Sequence, residues 1–232
     1  MAAEKQHGGA EVTKKAVCIM SGGMDSTLAA YMLKSQGFDI IAVHFNYDQR
    51  TQRKELECFR AIAERLDAQQ TYEIDLGFFA DIGASALTDK NIEVPTGGIE
   101  AGVPVTYVPF RNGIFLSIAA AIAEKEGASV LGIGVVEEDS SGYPDCREAY
   151  IETMQRAINL GTKDETNLTI AMPLVHLKKE QIVARAIEYD VPLELTWSCY
   201  KDEEKACGVC DSCRLRLKGF ELAGRRDPIP YR

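Results

Sequence analysis

The chain contains 232 residues, of which 46% are hydrophobic and 26% are charged, and its formal net charge is −9. These values are typical of a folded globular protein and exclude an intrinsically disordered chain, while the length is sufficient for a large core. The acidic balance argues against a protein whose main role is to bind a nucleic-acid backbone.

Residues 1–14 are polar and mixed in charge, so we expect a flexible N-terminal arm rather than a signal peptide or a membrane anchor. The longest apolar stretch, residues 114–123, is too short to cross a bilayer. We therefore expect a soluble, cytoplasmic protein that has no membrane contact and no direct contact with nucleic acid.

The hexapeptide Ser-Gly-Gly-Met-Asp-Ser at residues 21–26 follows an apolar run at residues 16–20, which predicts a short buried strand. Residues 27–36 then carry apolar side chains at helical spacing. Glycines between a strand and a helix let the backbone approach a ligand, and free N–H groups at a helix start favour an anion. This order favours a phosphate-binding loop, although an ordinary tight turn would also contain the two glycines.

Strands and helices alternate along most of the remaining chain. This alternation predicts an α/β fold with a doubly wound, mostly parallel sheet, in which ligands bind at the carboxyl ends of the strands. We expect residues 21–26, 46–50 and 137–141 to meet there in one pocket. The further strands are predicted at residues 39–45, 71–75, 128–136 and 168–170, and the helices at residues 53–66, 112–126, 145–160 and 178–189.

A long irregular region, residues 77–110, separates the third strand from the next helix and is rich in proline and glycine. Structureless connections of this length are usually functional or mobile. We interpret the region as a lid over the site, and the alternative is a disordered surface insertion.

Four of the seven cysteines, Cys199, Cys207, Cys210 and Cys213, form a C-x7-C-x2-C-x2-C pattern. Four thiolates at this spacing can complete the tetrahedron of a structural zinc site, which leaves no open position for catalysis. Disulfides, or a redox or iron–sulfur role, are the alternatives. Cys18 and Cys58 fit simple packing, and the role of Cys146 stays open between a nucleophile and a structural residue.

The C-terminal residues 214–232 contain six basic and two acidic side chains, a local excess of +4. On an acidic protein this segment is either a tail that docks on its own body or on a partner subunit, or a basic lip that holds phosphates.

The hexapeptide at residues 21–26 resembles the pyrophosphate-binding loop of the PP-loop ATP pyrophosphatases. Taken with five further strings, the chain resembles the 7-cyano-7-deazaguanine synthases of queuosine biosynthesis from residue 17 to about residue 220. Asp48 and Phe110 depart from the family pattern, which often has a small residue at the first position and glycine or alanine at the second. The strings are YDQR (47–50), VPFRN (108–112), SGYPDCR (141–147), SCY (198–200) and CGVCDSC (207–213).

The resemblance implies an ATP-dependent carbon–nitrogen ligase that converts 7-carboxy-7-deazaguanine and ammonia into 7-cyano-7-deazaguanine through adenylated acid and amide intermediates. It implies Mg²⁺ bound with ATP, a homodimer, and catalytic roles for Asp25 and Lys179. The implied ATP-binding residues are Met20, Ser21, Gly22, Gly23, Met24, Asp25, Ser26, Thr27, Leu28, Ala29 and Ala30. The candidate residues for the deazaguanine and its carboxylate are Arg111, Asn112, Glu137, Asp139 and Asp145.

We thus expect a flexible arm at residues 1–14, a PP-loop catalytic domain at residues 15–195 with its lid at residues 77–110, and a zinc segment with a basic tail at residues 196–232. Another PP-loop adenylating ligase or a tRNA-thiolation enzyme is the nearest alternative. A non-catalytic zinc-containing binding module is the second, and a relative that delivers a deazaguanine to DNA or protein is the third.

Overall fold

The computed structural model describes residues 14–98, 102–137 and 142–232. Within these residues one sheet of five parallel strands has the order β3-β2-β1-β4-β5, which confirms the predicted doubly wound α/β fold. The predicted N-terminal arm lies outside the described residues except for Lys14, which begins β1. The strands are β1 (Lys14–Ile19), β2 (Phe38–Asn46), β3 (Gln70–Asp75), β4 (Val130–Gly132) and β5 (Thr169–Ala171).

The helices cover both faces of the sheet and surround its carboxyl edge. They are α1 (Met24–Ser35), α2 (Gln52–Arg65), α3 (Phe78–Ile82), α4 (Arg111–Glu126), α5 (Glu148–Gly161), α6 (Lys179–Glu188) and α7 (Asp211–Leu222). Short 3₁₀ turns occur at Pro144–Cys146 and Leu193–Leu195. Across the described ranges, no helix is both long and apolar enough to cross a membrane.

The two faces of β1 show how the sheet divides the core. Val17 and Ile19 point into a cluster that contains Phe115 of α4 and Ile151 of α5. The alternate residues Ala16 and Cys18 point into a second cluster, formed with side chains of α1 and α2. Because successive strand residues point to opposite faces, the run of apolar residues in β1 buries both sides of the sheet.

Two predicted elements differ from the structure. The segment at residues 128–136 is predicted to be strand throughout, but only Val130–Gly132 pairs with β1 and β5. Ile133 N still donates to Ala171 O at the end of β5, and residues 134–136 continue toward the carboxyl edge without strand pairing. The helix expected at residues 145–160 begins at Glu148, after the 3₁₀ turn at Pro144–Cys146.

The C-terminal segment is folded and packs against the sheet layer. Cys199, Cys210 and Cys213 belong to the same buried cluster as Ala16 and Cys18 of β1. The sequence analysis missed helix α7, which packs on α6. Its Arg216 is 2% exposed and forms a bidentate ion pair with Asp227, at 2.7 and 3.0 Å.

Candidate active site

A cavity of about 290 Å³ opens at the carboxyl ends of β1, β2 and β4. This is the edge at which a doubly wound sheet binds its ligands. Residues 21–26 line it together with the segments after β2 and β4, and α4, α6 and the C-terminal segment close it. Among its lining residues are Met20, Ser21, Gly23, Met24, Asp25, Ser26, Tyr47, Gln49, Arg50, Glu55, Arg111, Asn112, Tyr143, Cys146, Lys179, Tyr200 and Asp211.

The loop at residues 21–26 presents backbone and hydroxyl donors to this cavity. Helix α1 starts after Gly23, which has no side chain to cap the free N–H groups of the first turn. Ser21 Oγ and Ser26 Oγ lie 3.1 Å apart, and Gly23 N donates to Ser21 Oγ at 3.2 Å. Unpaired N–H groups and hydroxyls at a helix start form a site suited to an anion such as pyrophosphate.

Gly22 is the position where this loop requires glycine. Its φ of +82° lies in the left-handed region, and a Cβ there would lie 2.5 Å from the carbonyl oxygen of Glu55. The loop therefore packs backbone to backbone against α2. The other predicted ATP-binding residues, Thr27, Leu28, Ala29 and Ala30, are buried in α1 behind the loop.

Asp25 and Lys179, the two candidate catalytic residues, form an ion pair at the cavity wall. Lys179 Nζ lies 2.7 Å from Asp25 Oδ2, so the pair joins the first turn of α1 to the start of α6. The other carboxylate oxygen, Asp25 Oδ1, is buried without a hydrogen-bond partner in the described part of the chain. A buried, unpartnered carboxylate oxygen fits a ligand of a hard cation such as Mg²⁺.

Arg111 places a guanidinium in the aromatic part of the cavity. Its Nη1 donates to Tyr47 Oη at 2.8 Å, and the group stacks over the rings of Tyr47 and Phe115. Its Nε has no hydrogen-bond partner, and no ion pair to a carboxylate is formed within the described residues. Arginine stays protonated in proteins, so this side chain is a half-buried cation available to an anionic ligand.

Asn112 and Asp145 form a helix cap beside Arg111. Asn112 N donates to Asp145 Oδ2 at 2.9 Å, which places the carboxylate at the N-terminus of α4. Asn112 Nδ2 donates to Cys146 Sγ at 3.3 Å. Burial raises the pKa of Asp145, and Asp145 is not among the residues that line the cavity. Asn112 and Cys146 do line it.

Glu137 and Asp139, the other two candidates for the deazaguanine, are placed differently. Glu137 is exposed, and its Oε2 accepts a hydrogen bond from Glu148 N at 3.0 Å, so it caps α5. Among the described residues it does not line the cavity. Asp139 lies outside the described residues.

Cys146 and Tyr47 are unsuited to act as bases or nucleophiles. Burial raises the pKa of Cys146 to about 12, and the neighbouring Asp145 adds to the shift. Burial also raises the pKa of Tyr47 to about 12. Both groups are therefore protonated at neutral pH, and thiol chemistry at Cys146 is disfavoured.

One hydrogen-bonded carboxylate of the cavity, Glu55, was not predicted from the sequence. Glu55 Oε1 accepts from Thr51 Oγ1 at 2.7 Å, and Glu55 Oε2 accepts from Gln49 Nε2 at 3.1 Å. Gln49 and Glu55 both line the cavity. The Thr51–Glu55 spacing of four residues differs from the three-residue spacing of a capping box, so this pair carries no such signal in the sequence.

Arg50 fastens part of the region at residues 77–110 to the cavity rim. Its guanidinium donates to the carbonyl oxygens of Ala86, Asp89 and Ile92, at 2.6, 2.9 and 2.7 Å. Leu87 from this region lines the cavity, as does Thr106.

The four C-terminal cysteines converge in one place. All four sulfur atoms lie within 4.8 Å of one another, and no disulfide joins them. Ligands about 2.3 Å from a tetrahedral metal ion lie roughly 3.8 Å apart, close to the 4.0 Å between the sulfurs of Cys207 and Cys213. Backbone N–H groups of Lys201 and Cys207 donate to Cys199 Sγ, which supports a thiolate there. The cluster fits a single metal ion.

Comparisons with known proteins identify the family of the chain. The family model described as "Queuosine biosynthesis protein QueC" matches residues 15–224. A protein of Sulfurovum sp. (strain NBC37-1) named 7-cyano-7-deazaguanine synthase is 74% identical over 94% of this chain and 99% of that protein. One of the same name from Aliarcobacter butzleri (strain RM4018) is 69% identical over 95% of this chain and 96% of that protein.

A solved structure of a 4-thiouridine synthetase in complex with RNA, with bound ATP, covers 91% of this chain and 50% of that one. Its TM-score is 0.53 at 18% identity, so the likeness concerns the fold alone. The match over residues 15–224 and the two close relatives identify the family of the chain, which the fold alone does not. It belongs to the QueC family of queuosine biosynthesis proteins, the enzyme family of these two 7-cyano-7-deazaguanine synthases.

Proposed function

We propose that this chain is a 7-cyano-7-deazaguanine synthase, which converts 7-carboxy-7-deazaguanine, ammonia and ATP into the nitrile. One observation carries the proposal: the cavity places Arg111, a cation with no ion-pair partner among the described residues, in one space with the loop at residues 21–26. A site that activates a carboxylate with ATP needs an anchor for the carboxylate and a cradle for the leaving pyrophosphate. The cavity offers both.

The first chemical step is activation of the carboxylate. A carboxylate does not react with ammonia in water because its leaving group is poor, and transfer of AMP to it supplies a good one. The N–H groups near Gly23, with Ser21 and Ser26, bind the departing pyrophosphate at the start of α1. Lys179, held by Asp25, adds a positive charge at the same wall.

Arg111 orients the substrate for this step. Its guanidinium pairs with the carboxylate, and the aromatic side chains around it contact the planar deazaguanine ring. Asn112 supports Arg111 through the cap that it forms with Asp145. Ammonia then displaces AMP to give the amide, and a second ATP activates the amide oxygen so that loss of AMP leaves the nitrile.

The residues present fit two metal ions with separate roles. Cys199, Cys207, Cys210 and Cys213 would hold a structural Zn²⁺, and four thiolate ligands would leave no open position for substrate. The unpartnered oxygen of Asp25 would be suited to hold Mg²⁺ bound with ATP, which would supply neutralisation of phosphate charge.

Three further properties complete the proposal. Residues 77–110 act as a lid, which Arg50 fastens at its base. The protein functions as a homodimer in the cytoplasm. Residues 15–195 form the catalytic domain, and residues 196–232 form the zinc segment.

The test is mass-spectrometric analysis of the purified protein with 7-carboxy-7-deazaguanine, ammonium and Mg-ATP, following both nucleotide and base. We expect the nitrile together with two AMP per product. AMP formed only with a different acceptor would overturn the substrate, and no ATP cleavage would overturn the enzyme assignment.

A further inference from the structure

Amide formation at this site requires a proton acceptor, because ammonia exists mainly as ammonium at neutral pH and ammonium has no free electron pair. A general base in an active site must line the cavity and be unprotonated at working pH. This requirement rests on the proposed function, and it limits which side chains of the cavity can act as the general base.

Most titratable groups in the described part of the cavity are unsuited to this role. No histidine lines it there. Burial raises the pKa of Cys146 and Tyr47 to about 12 and that of Tyr200 well above its usual range, so these three groups hold their protons. Asp25 Oδ2 is engaged by Lys179, and Asp211 stands next to the metal-binding Cys210.

Glu55 remains, and its position is favourable. Its backbone carbonyl packs directly against Gly22 of the loop at residues 21–26, and Glu55 lines the same cavity as Arg111. The acyl carbon must lie between these two features, because the loop holds the leaving pyrophosphate and Arg111 holds the carboxylate. Glu55 therefore borders the reaction centre from the side of α2.

The carboxylate of Glu55 is held in place without being neutralised by a cation. Its two hydrogen-bond donors, Thr51 and Gln49, are both uncharged, and no ion pair to Glu55 is formed within the described ranges. Two lone pairs per oxygen leave room for a further donor. This side chain is pre-oriented and able to accept one more N–H group.

We propose that Glu55 is the catalytic base of amide formation and binds the attacking ammonium. The carboxylate takes one proton from ammonium, and the freed nitrogen electron pair forms the C–N bond to the adenylated carbon. The C–O bond to AMP breaks, and its electron pair stays on the phosphate oxygen of AMP. The nitrogen loses its second proton to solvent, which balances the step.

The charged and titratable groups that face Glu55 come from three other elements. They are Tyr47 after β2, Arg111 of α4 and Glu203 of the C-terminal segment. Burial raises the pKa of Glu55, while Thr51, Gln49 and Arg111 oppose the shift. A carboxylate with a raised pKa is a stronger base than one in water, which suits proton transfer from ammonium.

The experiment separates activation from amide formation in the Glu55→Gln variant, with Glu64→Gln, an exposed change on the same helix, as control. Activation is measured as exchange of labelled pyrophosphate into ATP that depends on 7-carboxy-7-deazaguanine. Amide formation is measured with ammonium and, separately, with hydroxylamine, a weaker base that is largely uncharged at neutral pH. Hydroxylamine needs no deprotonation before it attacks.

We expect Glu55→Gln to retain substrate-dependent exchange and hydroxamate formation from hydroxylamine, while the rate with ammonium falls by about 10²- to 10⁴-fold. An equal loss with both amines, a loss of exchange, or an unchanged rate with ammonium would each overturn the role of Glu55. Absence of exchange in the wild-type protein would instead overturn the proposed function, so the two failures are distinguishable.

Discussion

The backbone N–H of Trp197 donates a hydrogen bond to the carbonyl oxygen of Gly22, with an N–O distance of 2.9 Å. Gly22 lies in the loop at residues 21–26, and Trp197 lies two residues before Cys199 of the four-cysteine cluster. On the other side of this segment, Arg216 donates to Thr196 Oγ1 at 2.8 Å and to Ser198 Oγ at 3.3 Å. The segment at residues 196–198 is therefore held between the loop and α7, and the metal cluster lies beside it.

Loss of the metal should weaken ATP binding without removing any residue of the loop. We expect Cys213→Ser to lose bound zinc, to lower Tm and to raise the Kd for Mg-ATP, because residues 196–198 lose their anchor. Zinc content, calorimetry and nucleotide titration measure the three effects. Cys58→Ala, a change at another buried cysteine, is the control and should retain the metal. Unchanged ATP affinity in a zinc-free Cys213→Ser protein would refute the coupling.

Gly22→Ala should disrupt the loop more than backbone strain alone can explain. Gly22 and Gly37 have similar positive φ values, +82° and +85°, but a Cβ at Gly37 meets nothing within 4 Å. Gly37→Ala should therefore cost only about 1–2 kcal/mol of folding free energy and keep its activity. Gly22→Ala adds the clash with Glu55 O and should lose ATP turnover. Equal effects of the two changes on turnover would show that the contact with α2 is unimportant.

The parallel sheet and the cavity edge were predictable because the signals for them are local, whereas the strand order was not predicted. An apolar run such as β1 predicts a strand, and the glycines at residues 22–23 predict a turn, each from a few consecutive residues. The family resemblance is likewise confirmed by the family match over residues 15–224. The roles of Asp145 and Glu137 as helix caps could not be predicted from local sequence signals. Their partners, Asn112 N and Glu148 N, lie 33 and 11 residues away, and helix caps formed at such distances leave no sequence pattern.

Asp48 and Phe110, the two positions that differ from the family pattern, share an unusual backbone conformation. Their φ values are +57° and +55°, in the left-handed region that glycine adopts without strain. Phe110 is 51% exposed and precedes Arg111, and its ring contacts Tyr150 edge to face. A glycine at either position would adopt this conformation without strain, whereas an alanine would not.

Lys179→Met should slow the activation step while the fold persists. The change removes the positive charge beside Asp25 and keeps most of the side-chain stem, which packs against Gly219 of α7. We expect substrate-dependent pyrophosphate exchange to fall by about 10²-fold or more, as expected for loss of a charge that stabilises the transition state. Lys178→Met, at the exposed neighbouring position, should exchange at the wild-type rate. A wild-type rate of pyrophosphate exchange in Lys179→Met would show that this lysine has no role in activation.

Arg111→Lys should impair use of the deazaguanine but not of ATP. A lysine keeps the charge but loses the planar group that stacks on Tyr47 and Phe115. We expect KM for 7-carboxy-7-deazaguanine to rise at least about tenfold, the loss of roughly 1.4 kcal/mol of binding. The Kd for Mg-ATP, measured by titration, should stay unchanged. Arg156→Lys on the exposed side of α5 is the matched control. A larger change in the Kd for Mg-ATP than in the KM for 7-carboxy-7-deazaguanine would show that Arg111 binds the nucleotide instead of the deazaguanine.

The fate of the two carboxylate oxygen atoms of the substrate distinguishes adenylation from other routes of activation. The purified protein is given 7-carboxy-7-deazaguanine with ¹⁸O in both carboxylate positions, together with ammonium and Mg-ATP, and the products are analysed by mass spectrometry. Two successive activations through AMP predict one ¹⁸O in each of two AMP molecules, an unlabelled pyrophosphate and a nitrile free of oxygen. Label in pyrophosphate or in water, with unlabelled AMP, would contradict adenylation at this site.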